Sequence, residues 1–363
     1  MASKRAARGN AAVKRKLRAS IESGDFYSAL QMYKTLHVRY ARKGADGLAR
    51  AQDLAASGAV LLLERGQLHA GTELAMTVAK ALQDHDAPVA DATVKLLAGI
   101  SRAYDKCTAL AAVAAAKKDG GGGSGSSGAA GAGGAAGAGG AAGAGADGGE
   151  DAAANLDATN EHLGFLRASI KWSKEAAAAG RAGHAHGAPA LHALAVRACL
   201  GCPRGARYGE ASQHLLFAEQ PKEFARVLAA WAALGYPAER DLFLARGVLQ
   251  LLAHENLRDA AALHAEFVRL TAADEQAKKK KQQEKASPLM NFLGFLLQVL
   301  ERDAAPLFEV LRAKYAPSLR RAPMLLPLLD RVGKAFFGLA PVCKPQGMGG
   351  MGGMMQMMQQ MFQ

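Results

Sequence analysis

Cys199 and Cys202 stand two residues apart near the end of an apolar run, with His184, His186 and His192 just upstream. Two thiolates at this spacing can ligate zinc or cycle between dithiol and disulfide, and imidazoles can complete a metal site. A structural zinc site at this spacing ordinarily draws on a second pair, and Cys107 and Cys343 are single. The strand-to-helix context of a redox Cys-X-X-Cys is also missing. Pro203 follows at once, so the two cysteines read as small buried residues closing a helix at a corner. Carboxylates occur singly, outside any Gly-framed loop, and no metalloprotease, nucleophile-elbow or nucleotide-binding pattern is present. The residues predict no cofactor, no metal and no enzyme.

The chemistry that remains is charge. The chain of 363 residues carries a formal net charge of +13, and the excess is concentrated at its start. Residues 1–50 hold twelve Lys and Arg against Glu22, Asp25 and Asp46, and no acid precedes Glu22. An acid-free, Arg/Ala/Ser-rich start has the look of a transit peptide. Against that, a helical pattern already runs by Val13–Leu17, which leaves little dispensable leader. Lys14, Lys16, Arg18, Lys34, Arg39 and Arg42 are therefore candidates for binding an acidic protein surface. Nucleic acid is the alternative partner, and it lacks support from aromatics interleaved with the basic residues.

The elements that position these residues are helical hairpins. Four times a bulky residue follows a turn-like break, with a tiny residue three positions on: Phe26/Ala29 after Gly24-Asp25, Leu68/Gly71 after Gly66-Gln67, Tyr208/Ala211 after Gly205, and Leu257/Ala260 after Asn256. The small residue lets the second helix approach the first. Spacings of about 40–50 residues between alternate hairpins are those of two-helix repeats. No alternating β-branched segment bounded by turns is present. The fold class is all-α, a right-handed α-solenoid of stacked antiparallel helical hairpins of TPR-like kind, in which each repeat touches only its neighbours.

The pattern predicts helices at 12–22, 25–42, 47–65, 68–83 and 88–103, the last with Pro88 in its first turn. Patterning resumes near Leu156, and Pro189 starts a further helix. More helices follow near 207–217, 222–234, 238–254, 257–271, 288–300 and 304–315, with a last one ending at Phe336-Phe337-Gly338. The domain organisation is then a basic disordered start (1–11), N-terminal repeats (12–116), a disordered Gly/Ala-rich insert (117–155), C-terminal repeats (156–339) containing a Lys-rich loop (273–287), and a disordered Met/Gly/Gln-rich tail (340–363). The longest apolar run, Leu289 to Leu300, falls short of the ~20 residues that span a bilayer. Its Met290, Phe292, Phe295, Leu296 and Val299 exceed what one solenoid face can hide, which makes them candidates for covering by a partner.

Five segments carry a family resemblance. The run from Lys16 to Tyr40, Ser57-Gly-Ala-Val-Leu-Leu-Leu63, Ile170-Lys-Trp-Ser173, Pro288-Leu-Met-Asn-Phe-Leu293, and Tyr315 to Met324 with Phe336-Phe-Gly338 resemble, in order, the Golgi-to-ER traffic protein four (Get-four) family. The match looks like that of a green-alga or plant member. The resemblance implies an α-solenoid adaptor in the cytosol that promotes insertion of tail-anchored proteins into the ER membrane. Its N-terminal basic face would dock the pathway's targeting ATPase. Its C-terminal part would hold a ubiquitin-like-domain partner, directly or through a Bag-type scaffold. The Gly/Ala-rich 117–151 and the Lys run 278–281 depart from the family pattern, the second where the family has a partner-contacting loop. A different helical-repeat scaffold and a basic nucleic-acid-binding repeat protein are the alternatives.

Overall fold

A computed structural model describes residues 15–119, 147–278 and 287–342, apart from Arg18, Ala182 and Arg204. Among the described residues every regular element is helical. The chain divides into two compact units, residues up to Ala218 and residues from Glu219 onward.

The first unit contains α1 (residues 15–22), α2 (Phe26–Ala41), α3 (Ala45–Glu64), α4 (Leu68–Asp84), α5 (Asp91–Asp119), α6 (Asp147–Ala178), α7 (Pro189–Leu200) and α8 (Tyr208–Leu215). Short turns set the hairpins. Asp25 caps α2 by accepting a hydrogen bond from the Ser28 N–H at 3.1 Å, and this bond holds its carboxyl below the usual range. Gly66, at φ 75°, closes α3 in the left-handed conformation that glycine tolerates best. The small residue of each hairpin is buried as its spacing predicts: Ala29 and Ala211 are 0 % exposed and Gly71 is buried. Gly58 and Gly71 mark close approaches, because a Cβ would lie 2.7 Å from the Tyr33 ring at the first and 2.5 Å from Leu63 Cγ at the second. From α2 onward each helix packs on its successor, and α3 on α5, α4 on α6 and α5 on α7 as well. That stacking is a solenoid.

Two expectations about this unit are corrected. Helix α5 begins at Asp91, and Pro88 lies in the connection before it rather than in a first turn. A residue before proline is pushed away from helical conformation, and the Trp172 indole N–H donates to the Ala87 carbonyl at 3.1 Å, pinning that connection. The insert expected at 117–155 is also narrower. Helical backbone reaches Asp119 on one side and starts at Asp147 on the other, where Ala-rich sequence favours helix; 120–146 lie outside the described residues. Nor does the insert divide the chain, since α5 and α6 on either side of it pack together.

The second unit contains α9 (Pro221–Ala233), a 3₁₀ turn (Pro237–Glu239), α10 (Arg240–Ala253), α11 (Leu257–Lys278), α12 (Pro288–Glu301), α13 (Ala305–Lys314), α14 (Ala316–Leu319) and α15 (Leu325–Phe337). Helix α11 runs well past the expected 271, into the segment assigned to the Lys-rich loop, and residues 279–286 lie outside the described set. So do residues 1–11 and all of the tail beyond Val342. Pro221 and Pro288 stand in first turns, Ser287 caps α12, and Gly338 in the left-handed region ends α15. The core is built on Phe224, Phe267, Phe292 and Phe308, each 1 % exposed. Here the pattern is not a simple stack, because α15 returns to pack on α10.

Candidate partner-binding surfaces

The basic surface of the first unit is narrower than the sequence predicts. Helix α2 buries Ala29, Leu30, Tyr33, Leu36 and His37. Each residue turns the helix by about 100°, so Arg39 and Arg42 fall away from that stripe and are exposed, as is Lys16 on α1. Among the described residues these three take part in no ion pair. Lys43, beside them, lies over the Tyr40 ring at 5.2 Å from its centroid. Lys34 goes elsewhere. One position past buried Tyr33, it flanks the stripe, reaches α4 and pairs with Glu73. Its charge is therefore already matched, and it leaves the set of free cations. Lys14 and Arg18 lie outside the described residues.

The apolar candidates of α12 separate by face. Phe292 and Leu296 are 1 % and 0 % exposed and Val299 is 9 %, so these three belong to the core rather than to an accessible surface. Burying such a side chain contributes about 1.5–3 kcal/mol, and the packing of α12 on α10, α11 and α13 supplies that environment. Phe295 is 49 % exposed and Met290 is half-buried. Both line a groove of about 660 Å³ that α11 shares through Val268 and Thr271. At its polar end Arg321 binds the Asp241 Oδ2 and the Ala238 carbonyl, each at 2.6 Å, and Ser287 donates to the same Oδ2. Val268, Asp241 and Arg321 escaped the sequence reading. Asp241 and Arg321 are 80 positions apart, and the one available signal was a lone acid opening an apolar helix.

Among the described residues the cysteines and histidines build the corner between α7 and α8. Cys199 and Cys202 are buried, and burial, with Glu210 adding, pushes the Cys199 thiol up to about 12. Their carbonyls accept the Arg207 and Gly205 N–H groups, both at 3.0 Å, which builds the corner between α7 and α8. His192 Nε2 lies 3.1 Å from the His186 carbonyl and must be its donor, so the neutral ring offers Nδ1 as an acceptor to His214 Nδ1, also at 3.1 Å. Burial lowers the His192 pKa, and burial followed by His192 itself lowers His214 to about 4. Both rings thus stay neutral at pH 7. No cluster of three or more His, Cys, Asp or Glu able to hold a metal occurs among the described residues. Among them, too, no helix is long and apolar enough to cross a membrane.

Comparison with known proteins agrees with this architecture. A family model described as Golgi to ER traffic protein 4 (GET4) matches residues 46–362, starting just beyond α2. Protein GET4 of Arabidopsis thaliana is 31 % identical over 340 residues, 92 % of each chain. The Golgi to ER traffic protein 4 homologue of Bos taurus is 29 % identical over 91 % of this chain and 81 % of its own. The crystal structure of C. therm. Get4 is similar with a TM-score of 0.67 at 21 % identity, covering 97 % of this chain and 95 % of that one, a likeness of fold. These matches tie the chain to tail-anchored protein targeting and ER traffic. The all-helical stacking, the extent of the family match and the identity to the Arabidopsis protein establish that this chain belongs to the Golgi to ER traffic protein 4 family.

Proposed function

We propose that the protein is a cytosolic adaptor that brings a targeting ATPase and a ubiquitin-like-domain co-chaperone complex together, so that a tail-anchored client passes between them. The observation that carries this reading is the unpaired basic surface of Lys16, Arg39 and Arg42 on α1 and α2. Three exposed cations that take part in no ion pair among the described residues attract an acidic protein face at little desolvation cost. The ATPase docks there. The ubiquitin-like partner, directly or through a Bag-type scaffold, takes the second unit at α12, where Met290 and Phe295 are the accessible apolar side chains. Holding donor and acceptor on one scaffold makes the handover intramolecular, at effective concentrations that reach about the millimolar range.

The test is charge reversal. Lys16→Glu with Arg39→Glu and Arg42→Glu weakens ATPase binding at least about tenfold at low ionic strength, and the loss shrinks as salt screens the surface over about 10 Å at 0.1 M. Titration calorimetry at two salt concentrations reads both effects. Binding that is indifferent to the reversal rules out this surface.

A further inference from the structure

A cleft of about 330 Å³ opens in the first unit where α5, α6 and α7 converge. Its size is at the small end of the range of about 300–1,000 Å³ that ligand sites occupy. His162 of α6, its ring 4 % exposed, forms the floor, while Asp105 of α5 and Arg197 of α7 stand half-exposed at the rim. Ala109, Ala112, Ala198 and Pro203 give it small, apolar walls. None of its residues belongs to the basic surface of α1 and α2 or to the groove at α12.

The polar groups dictate what fits. The Ser101 hydroxyl is buried, lies 2.8 Å from His162 Nε2 and has no other hydrogen-bond partner among the described residues. It therefore donates to Nε2, and the neutral ring carries its own proton on Nδ1. Burial, with Arg197 adding, lowers the ring's pKa to about 3, so it is neutral at pH 7. Nδ1 lies 3.8 Å from Asp105 Oδ1, too far for a hydrogen bond. The cleft thus presents a donor and an acceptor side by side, neither hydrogen-bonded through these atoms among the described residues. Arg197 holds the other carboxylate oxygen at 3.0 Å and matches its charge, so an occupant need carry none. One oxygen that both accepts and donates, about 2.8 Å from each group, satisfies the pair, and a hydroxyl is that oxygen. A carbonyl only accepts, and an ammonium only donates. Water meets the polar pair equally well, but the alanine and proline walls gain only from an aliphatic body. We infer that the cleft between α5, α6 and α7 binds a neutral ligand through an aliphatic hydroxyl group held between His162 and Asp105.

Nuclear magnetic resonance of the full-length protein with isotope-labelled histidine rings tests this binding, the His162 signal being assigned by its loss in His162→Gln. Cyclohexanol shifts that signal saturably, with a Kd on the order of 10 mM or tighter for so small a ligand. Cyclohexanone, which accepts but cannot donate, binds at least about fivefold more weakly. Asp105→Ala removes that preference, and Ala112→Leu, on the exposed wall, fills the cleft and abolishes the shift. The blocked peptide acetyl-Ala-Thr-Ala-amide is run beside them: tighter binding than cyclohexanol places the hydroxyl on a partner's side chain, and weaker binding on a free small molecule. No saturable shift with either hydroxyl probe, equal affinity for alcohol and ketone, or binding that survives Ala112→Leu overturns the inference.

Discussion

The two units solve the same packing problem differently. In the first, each helix rests on its near neighbours, small residues such as Ala29, Gly58 and Gly71 set the spacing, and buried polar groups tie successive layers together. Tyr104 donates to Thr72, and Thr72 to Glu161, at 2.8 and 2.5 Å; Ser101 and His162 are 2.8 Å apart. In the second, large aromatic side chains fill the core, and α15 closes onto α10. Arg312 of α13 pairs with Asp330 of α15 at 2.6 Å, 15 % and 6 % exposed. The difference teaches that a stack gains stability from neighbour interfaces, layer by layer. A closed bundle depends on contacts between distant segments, and is expected to open as one cooperative piece.

The sharpest way to break this contrast is Phe308→Ala. Phe308 is 1 % exposed, rests against Phe337 at 5.4 Å between ring centroids, and lies under Gly333. Its loss costs the second unit about 3–5 kcal/mol. Hydrogen exchange resolved by peptide should show α10, α12 and α15 losing protection together while α2–α4 keep theirs. A loss confined to α13 would mean that the closure is not cooperative.

Acid probes the other unit. His162, 4 % exposed and stacked on Tyr104 at 4.7 Å, has its pKa lowered to about 3, by burial first and by Arg197 second; Asp105 also faces it, 3.8 Å away. The folded ring stays neutral while the unfolded ring takes a proton below about pH 6.5, so its stabilising effect is complete above that pH and drains away as pH falls toward the folded value. From pH 7 to 5 the first unit loses about 2 kcal/mol through this residue. Urea unfolding at the two pH values measures it, and His162→Gln should flatten the dependence. An unchanged slope in that variant assigns the acid sensitivity to other groups.

The smallest effect separates structural charge from binding charge. Lys34→Ala removes a largely exposed ion pair with Glu73, and is expected to change stability by less than about 1 kcal/mol. It should leave ATPase binding near the parent value, whereas Arg39→Glu alone weakens it. Equal losses in the two variants would return Lys34 to the docking surface.

The amino-acid sequence by itself determined the helices and their hairpins. Turn glycines, a capping Asp25, first-turn prolines and a small residue three positions into each second helix act within a few residues of one another, so their signals are legible in one dimension. It also determined that the basic excess lies at the start of the chain. Which charges stay free was decided only in three dimensions, since Lys34 meets its partner 39 residues away on α4. Tertiary packing likewise turned Phe292 and Leu296 inward and left Phe295 outward. All three belong to one apolar run, and the helices that surround it decide which face is core. The groove, with Asp241 and Arg321 brought together across 80 residues, exists only because α10, α11, α12 and the chain before α15 converge. No local pattern encodes such a convergence, because loop closure joins segments at a cost that depends only weakly on their separation.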